Sequence, residues 1–374
     1  MKKITRSGSS HSSAGAQRAL CGAAAEASDK TENASGSRKV DMIQQNNMSP
    51  RVVVVRPGAL GDTLLALPAL GALAASHPGA TLDLVGYPSV LRLLEHMRPP
   101  LPVGRIHSID RALFGPLLAG TLSEELEEFL ASYDLLIAWI GDPSGQLSAR
   151  LERLPLASLR CDPYPSLGSG MHASRHLLRS LAPLGSGFST SPVTAPIVEP
   201  PRDAAREGRD LLRGLGLREG DFIALHPGSG SPGKNWPAEN FADLWRLAQE
   251  GGHRVLLIEG PADEEAVRSV VQMVGISAAR VRPPSLTTLA AVLSRAAAFV
   301  GNDSGVSHLA AATGAPTRAI FGPTDPTVWA PLAPNARVLR FESSAAEVWR
   351  ELERAARLGR GVRISGRSAR GKAH

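Results

Sequence analysis

LSRAAAFVGNDSGVSHLAAATGAPTRAIFGPTDPTVW, residues 293–329, decides how the rest of the chain is read. Ala297-Ala298-Phe299-Val300 is a short apolar run closed by Gly301, the pattern of a strand buried on both faces of a parallel sheet. Asn302-Asp303-Ser304-Gly305 supplies helix-starting residues ahead of an apolar helix from Val306 to Thr313. Gly314-Ala315-Pro316 stops that helix, Thr317 to Phe321 is the next strand, and Gly322-Pro323-Thr324-Asp325-Pro326 is its exit turn. Two turns that leave strands therefore lie side by side, both containing Gly and small hydroxyl residues. A helix N-terminus with free N–H groups favours an anion, and glycine lets a phosphate approach the backbone.

The same order of strand, turn and helix recurs outward from this stretch. Arg51 to Val55 is a buried strand, residues 56–62 (RPGALGD) its turn, and Thr63 to Ser76 a helix. Phe222 to His226 is another strand, and it exits through HPGSGSPGKNWP (226–237) into a helix from Glu239 to Gln249. Further strands are expected at 81–86, 106–109, 134–140 and 254–258, with helices at 90–97, 122–132, 171–181, 202–215, 263–274, 285–295 and 345–358. Between Gly141 and Ser191 Pro, Gly and Ser interrupt every pattern. His172, Arg175 and His176 fall there and are read either as surface residues or as contacts for an acidic acceptor. Residues 194–201 contain three prolines and read as a linker.

The expected organisation is a disordered tail over 1–49, a Rossmann-like half over 50–193, the linker, a second Rossmann-like half over 202–343, a helix over 344–358 and a basic tail over 359–374. Met48, just before the first strand, is read as an alternative start. At 374 residues the chain is long enough for two cores; with aromatics at 4%, Leu, Val and Ala must fill them. Net charge is +6, and residues 354–374 hold six Arg and one Lys with no acid. That run is read as a solvated tail or as a contact for an anionic membrane surface; no recognition motif accompanies it, so nucleic acid is not expected as a partner. Cys21 and Cys161 have neither metal spacing nor a disulfide framework, and no apolar run is long enough to span a bilayer. A cytoplasmic protein, peripheral at the inner face of the membrane if the tail binds it, is expected.

Residues 301–312 (GNDSGVSHLAAA) with 321–326 (FGPTDP), and Arg56, Gly58, Gly61, Asp62 and Pro68 near the start, resemble the motifs of glycosyltransferase family 9, the ADP-heptose:lipopolysaccharide heptosyltransferases and their relatives. Pro57 is not a residue the first motif demands, and it stiffens that turn. The resemblance implies an α/β chain of GT-B architecture, two Rossmann-like domains facing a cleft, with the last helix crossing back to the first domain. It also implies inverting transfer of a sugar, heptose from ADP-heptose first among the candidates, to a lipid-linked or oligosaccharide acceptor of the lipopolysaccharide type. The nucleotide sugar is a substrate, and no cofactor is implied.

Such a transfer needs a base for the acceptor hydroxyl, positive charge or N–H dipoles for the leaving diphosphate, and a nucleotide pocket. The resemblance makes Asp62 the base; read alone, Asp62 is a helix cap. It makes Lys234 a phosphate ligand on a Gly/Ser loop that also carries Ser229; read alone, Lys234 is an exposed loop residue. Ser304 and Gly305 would bind phosphate through N–H groups beside Gly61, with His308 one turn on. Asp303 is assigned to capping or to a sugar hydroxyl, and Glu264 to ribose hydroxyls. No paired-carboxylate metal motif lies in these loops, so no metal is expected. Two other readings stay open: an NAD-dependent oxidoreductase, which lacks GxGxxG and has only Asp83 as an acidic candidate, and a silent nucleotide-sugar-binding module.

Overall fold

The computed structural model describes residues 50–354, apart from Ser186, Ser191, Pro192 and Thr194. The tails read over 1–49 and 359–374, and the last residues of the final helix, lie outside the described residues.

The first half is a parallel sheet with helices around it. Its elements are β1 (Arg51–Val55), α1 (Leu60–Ser76), β2 (Thr81–Gly86), β3 (Met97–Arg98), β4 (Val103–Ser108), α2 (Glu124–Ala131), β5 (Leu135–Trp139), α3 (Gln146–Leu151), β6 (Ala157–Cys161) and α4 (Ala173–Ser180). The strand order is β4-β2-β1-β5-β6, all parallel. The continuous apolar runs of β1 and β5 occupy the centre, where both faces are covered, and Val52 to Val55 and Leu135 to Ala138 are fully buried.

The second half repeats the plan. β7 (Ile197–Val198) leads to α5 (Arg202–Gly214), β8 (Phe222–His226), α6 (Ala238–Glu250), β9 (Arg254–Ile258), α7 (Glu264–Val274), β10 (Arg280–Val281), α8 (Leu286–Leu293), β11 (Ala298–Asn302), α9 (Gly305–Ala312), β12 (Thr317–Phe321), β13 (Ala336–Arg340) and α10 over 345–354. The order β10-β9-β8-β11-β12-β13 is again parallel throughout. The chain is therefore an α/β protein of GT-B architecture.

Three expectations change. The linker is not free of structure: β7 pairs antiparallel with β3, Met97 opposite Val198, which stitches it to the first half. Helix α1 begins at Leu60, so Gly61 and Asp62 belong to its first turn rather than to the preceding loop. Through residue 354, α10 stays on the second half instead of crossing back: Ala345, Val348 and Leu352 join the core of Trp236, Phe241 and Val300, and Arg318 Nη2 donates to the Glu351 carbonyl at 3.0 Å.

Each sheet reverses its winding next to its first strand, between β1 and β5 and between β8 and β11. Loops at the carboxyl ends of strands on either side of such a point diverge and leave a crevice for ligands. The halves meet there through the N-termini of α1 and α9. A methyl group on Gly305 would fall 2.7 Å from Leu60 Cβ and 3.0 Å from the Gly61 nitrogen, and one on Gly61 would fall 3.3 Å from His308 Cδ2. Glycine at both positions lets the two helix ends touch.

Candidate active site

A cavity of about 380 Å³ opens where those helix ends meet. Asp62 and Tyr164 of the first half line it together with Lys234, Asp303, Ser304, His308, Thr324 and Trp329 of the second. A larger neighbour of about 780 Å³ runs from Leu60, Val90 and Leu93 to Glu259, Pro283, Pro284, Leu286 and Ser304. Ser304 and Gly305 border both.

Asp62 is the third residue of α1. Its Oδ2 accepts the Ala59 N–H at 3.1 Å, and its Oδ1 lies 3.6 Å from Arg56 Nη2. Asp62 thus caps the helix and also lines the cavity. Arg56 is 6% exposed; burial lowers its pKa against the pull of Asp62, and its Nε has no partner among the described residues. Gly58 is required here, because a methyl group on it would fall 2.8 Å from Asp62 Cβ.

Lys234 ends a short turn in the loop after β8. Its Nζ lies 2.8 Å from Asp303 Oδ2, which also accepts the Thr324 hydroxyl at 2.6 Å. The sequence points to Asp303 as a helix cap or a partner for a sugar hydroxyl; instead it holds Lys234, while Ser304 takes the cap position of α9. The loop itself is pinned by Asn302, which is fully buried. Its Nδ2 donates to the carbonyls of Pro227 and Gly228, and its Oδ1 accepts the Trp236 N–H at 2.9 Å. Ser229 is spent inside the loop, against the Ser231 carbonyl and Asn235 Oδ1.

The first-turn N–H groups of α1 and α9 have no acceptors within their helices, and both helix dipoles are positive at this end. Beside Lys234 they give this end of the cavity a positive potential, which favours an anion. His308 is buried within it. Burial lowers its pKa to about 4, with Asp303 pulling upward and His172 and Lys234 pushing down, so it meets a ligand as a neutral hydrogen-bonding group.

Not every sequence-derived assignment reaches the cleft. Glu264 is exposed on α7 and pairs with Arg268 at 2.9 Å; it borders neither cavity. Glu259, the residue after β9, borders the larger one, and its side chain is 17% exposed. Asp83, the carboxylate that a dinucleotide reading needs, is engaged by the Arg105 N–H at 2.7 Å and the Tyr133 hydroxyl at 2.8 Å. His172 is not a free surface residue: its Nδ1 accepts the Ser174 N–H and its Nε2 donates to the Ala330 carbonyl at 3.0 Å, across the cleft.

Sequence reasoning alone also misses a buried chain. Asp263 Oδ2 accepts from His226 Nε2 at 2.8 Å and from the Gly260 N–H at 2.8 Å, and Ser304 Oγ lies 3.4 Å from His226 Nδ1. Burial alone would raise the Asp263 carboxyl; the His226 bond and the Gly260 N–H outweigh it and hold the pKa below the usual carboxylate range. The chain ties the loop after β9 to the start of α9. His226 ends an apolar strand, and that placement is the available signal.

The family model described as glycosyltransferase family 9 (heptosyltransferase) matches residues 181–357. Lipopolysaccharide heptosyltransferase 1 of Escherichia coli K12 is 28% identical over 309 residues, 78% of this chain and 93% of that protein. Among solved structures, a family 9 glycosyltransferase from Veillonella parvula superposes with a TM-score of 0.68 at 20% identity, over 83% of this chain and 99% of the other. The E. coli heptosyltransferase WaaC, solved with ADP, superposes with a TM-score of 0.58 at 23% identity, over 82% and 99%. These two structural likenesses concern the fold. The matches in sequence, to the family model and to the heptosyltransferase of E. coli, place the chain in glycosyltransferase family 9, as a glycosyltransferase that acts on a nucleotide sugar.

Proposed function

We propose that this protein transfers heptose from ADP-heptose to a lipopolysaccharide-core acceptor with inversion, and that Asp62 is the base. The observation that carries the reading is one cavity in which a carboxylate from the first half faces Lys234 and a helix N-terminus from the second. The proposal rests also on relatives that are lipopolysaccharide heptosyltransferases. The adenosine would occupy the larger cavity, its base beside Pro283, Pro284 and Leu286 and its ribose beside Glu259, in place of Glu264. The diphosphate would meet Lys234 and the N–H groups of Ser304 and Gly305, with neutral His308 as a further hydrogen-bond partner. Gly61 and Ser229 shape this site without binding the donor through a side chain.

The acceptor hydroxyl gives its proton to Asp62 as its oxygen bonds to the anomeric carbon. The bond from that carbon to the β-phosphate oxygen breaks, and its electron pair leaves with ADP. Lys234 and the two helix dipoles stabilise the charge that develops there. Asp303 keeps Lys234 in place, so little reorganisation is needed at that moment.

We assign the acceptor to residues 50–193 and the donor to 202–343, joined by 194–201. Among the described residues no helix is long and apolar enough to cross a membrane. A lipid-linked acceptor and the basic run 354–374 fit work at the inner face of the cytoplasmic membrane, held there by anionic headgroups. The test is Asp62→Asn with ADP-heptose and heptose-deficient lipopolysaccharide. Asn still accepts the Ala59 N–H, so the fold survives, but it has no basicity. Turnover should fall by roughly 10²- to 10⁴-fold with donor affinity nearly unchanged. A variant that keeps more than about a tenth of the wild-type rate would remove Asp62 from the base role.

A further inference from the structure

One side chain from each half closes the acceptor side of the smaller cavity, and neither belongs to the motifs read as catalytic. Tyr164 stands in the loop after β6, between Pro163 and Pro165, and Trp329 ends a short helix after β12. Their rings meet edge to face at 5.4 Å and 71°. Tyr164 remains 47% exposed, and the Arg56 guanidinium lies 5.4 Å from its ring centre. A second tie spans the same gap: His172, which starts α4, donates to the Ala330 carbonyl, one residue past Trp329. The aromatic pair is therefore held from both sides, by two prolines on one and by the His172 bond on the other. Both rings border the cavity that contains Asp62.

We infer that Tyr164 and Trp329 form a clasp that seats one ring of the acceptor saccharide over Asp62. The inference rests on the glycosyl-transfer reading above. A sugar ring presents a face of C–H groups that packs on aromatic carbon, while its hydroxyls stay free for polar partners. The base must meet one hydroxyl of a ring held still, and these are the aromatic side chains in its cavity. Tyr164 has a second task as a positioning residue. It lines the same cavity as Asp62, and burial, with the Asp62 charge adding to it, raises the tyrosine pKa. The phenol thus stays protonated, and as a donor from within the same cavity it would steady the carboxylate once the acceptor is seated. Diphosphate binding, at Lys234 and α9, does not involve the clasp.

The experiment is steady-state kinetics with ADP-heptose and O-deacylated, heptose-deficient lipopolysaccharide on Tyr164→Ala, Tyr164→Phe, Trp329→Ala, Trp329→Phe and Asp62→Asn. Melting temperatures confirm folding. Each alanine variant should raise the acceptor KM by roughly three- to tenfold, the scale of one aromatic contact, with the donor KM within twofold. Phenylalanine at 329 should recover most of that loss. Phenylalanine at 164 should keep the acceptor KM but lower kcat, because the ring remains and the hydroxyl that would donate to Asp62 is gone. Unchanged acceptor KM in both alanine variants overturns the clasp, and an unchanged kcat in Tyr164→Phe overturns the positioning role. Either result alongside an inactive Asp62→Asn leaves the transfer reading standing. An Asp62→Asn variant at the wild-type rate removes Asp62 from the base role, and a wild-type protein inactive on this pair overturns the transfer reading itself.

Discussion

His308 lies within the protein beside Asp303, His172 and Lys234, and burial pushes its pKa down to about 4 from 6.5. The folded pKa is the lower one, so between those values the unfolded chain binds a proton that the folded chain does not. The associated stability is complete above pH 6.5 and falls as the pH drops toward 4, by about 3.5 kcal/mol in all at ~1.4 kcal/mol per unit. The wild-type melting temperature should therefore fall across this window more steeply than that of His308→Gln, which cannot titrate there. Parallel melting curves for the two proteins would show that His308 accepts its proton freely in the fold. At this scale much of the site is legible in the sequence. Asp62, Lys234 and residues 303–308 follow strands in or beside turns rich in Gly and small hydroxyl residues, and strand ends share one edge of a parallel sheet. The ribose assignment fails on direction. Glu264 and Glu259 flank the same turn, but the first opens a helix and points to solvent, whereas the second still lies at the strand end. The role of Asp303 is hidden because its partner Lys234 is 69 residues away.

The loop after β8 has few apolar residues of its own and depends on β11 for its shape. Asn302 makes three hydrogen bonds to its backbone from a fully buried position. Replacing it with Ala leaves those backbone groups buried and unpaired, at roughly 1–3 kcal/mol for each that finds no other partner. Asn302→Ala should therefore melt at a lower temperature and also bind donor more weakly, since Lys234 rides on that loop. Thermal denaturation and donor titration on one preparation check both. A variant that lost stability yet kept full donor affinity would show that the Lys234–Asp303 pair alone holds the loop. Legibility among the elements follows burial. Strands β1, β2, β8, β9 and β12 are recovered to the residue, because a short, continuous apolar run between turn residues fits a buried strand and little else. β6 (ASLRC) and β13 (ARVLR) escape sequence reading; both are sheet edges, partly open to water, and carry arginines that break the apolar run. Helix α1 starts three residues before the expected Thr63 because Gly61 looks like part of the turn, when it is the contact through which two helix ends touch.

Across the whole molecule, the larger cavity takes part of its wall from each half: Leu60, Val90 and Leu93 from the first, Glu259, Pro283 and Leu286 from the second. A nucleotide bound there favours the assembled pair of halves over either one opened from the other. A ligand that binds the folded form alone stabilises it by RT ln(1 + [L]/Kd), about 2.7 kcal/mol at a hundredfold excess over Kd. For two halves of this size unfolding together that amounts to roughly 4 °C in melting temperature. ADP should produce such a shift, and it should move the unfolding of both halves together because both line the cavity. NAD should produce a smaller one, since Asp83 is already bonded to Arg105 and Tyr133 and no acidic residue is free on β2 to take a second ribose. Lys234→Ala separates the two parts of the ligand. It should weaken ADP by about ten- to a hundredfold through the lost charge-assisted contact, and leave adenosine unaffected. Differential scanning calorimetry of the wild type and Lys234→Ala with adenosine, ADP and NAD reads all of these at once. An equal shift by NAD and ADP would reopen the dinucleotide reading, and an ADP shift that survives Lys234→Ala in full would place the diphosphate away from the loop after β8.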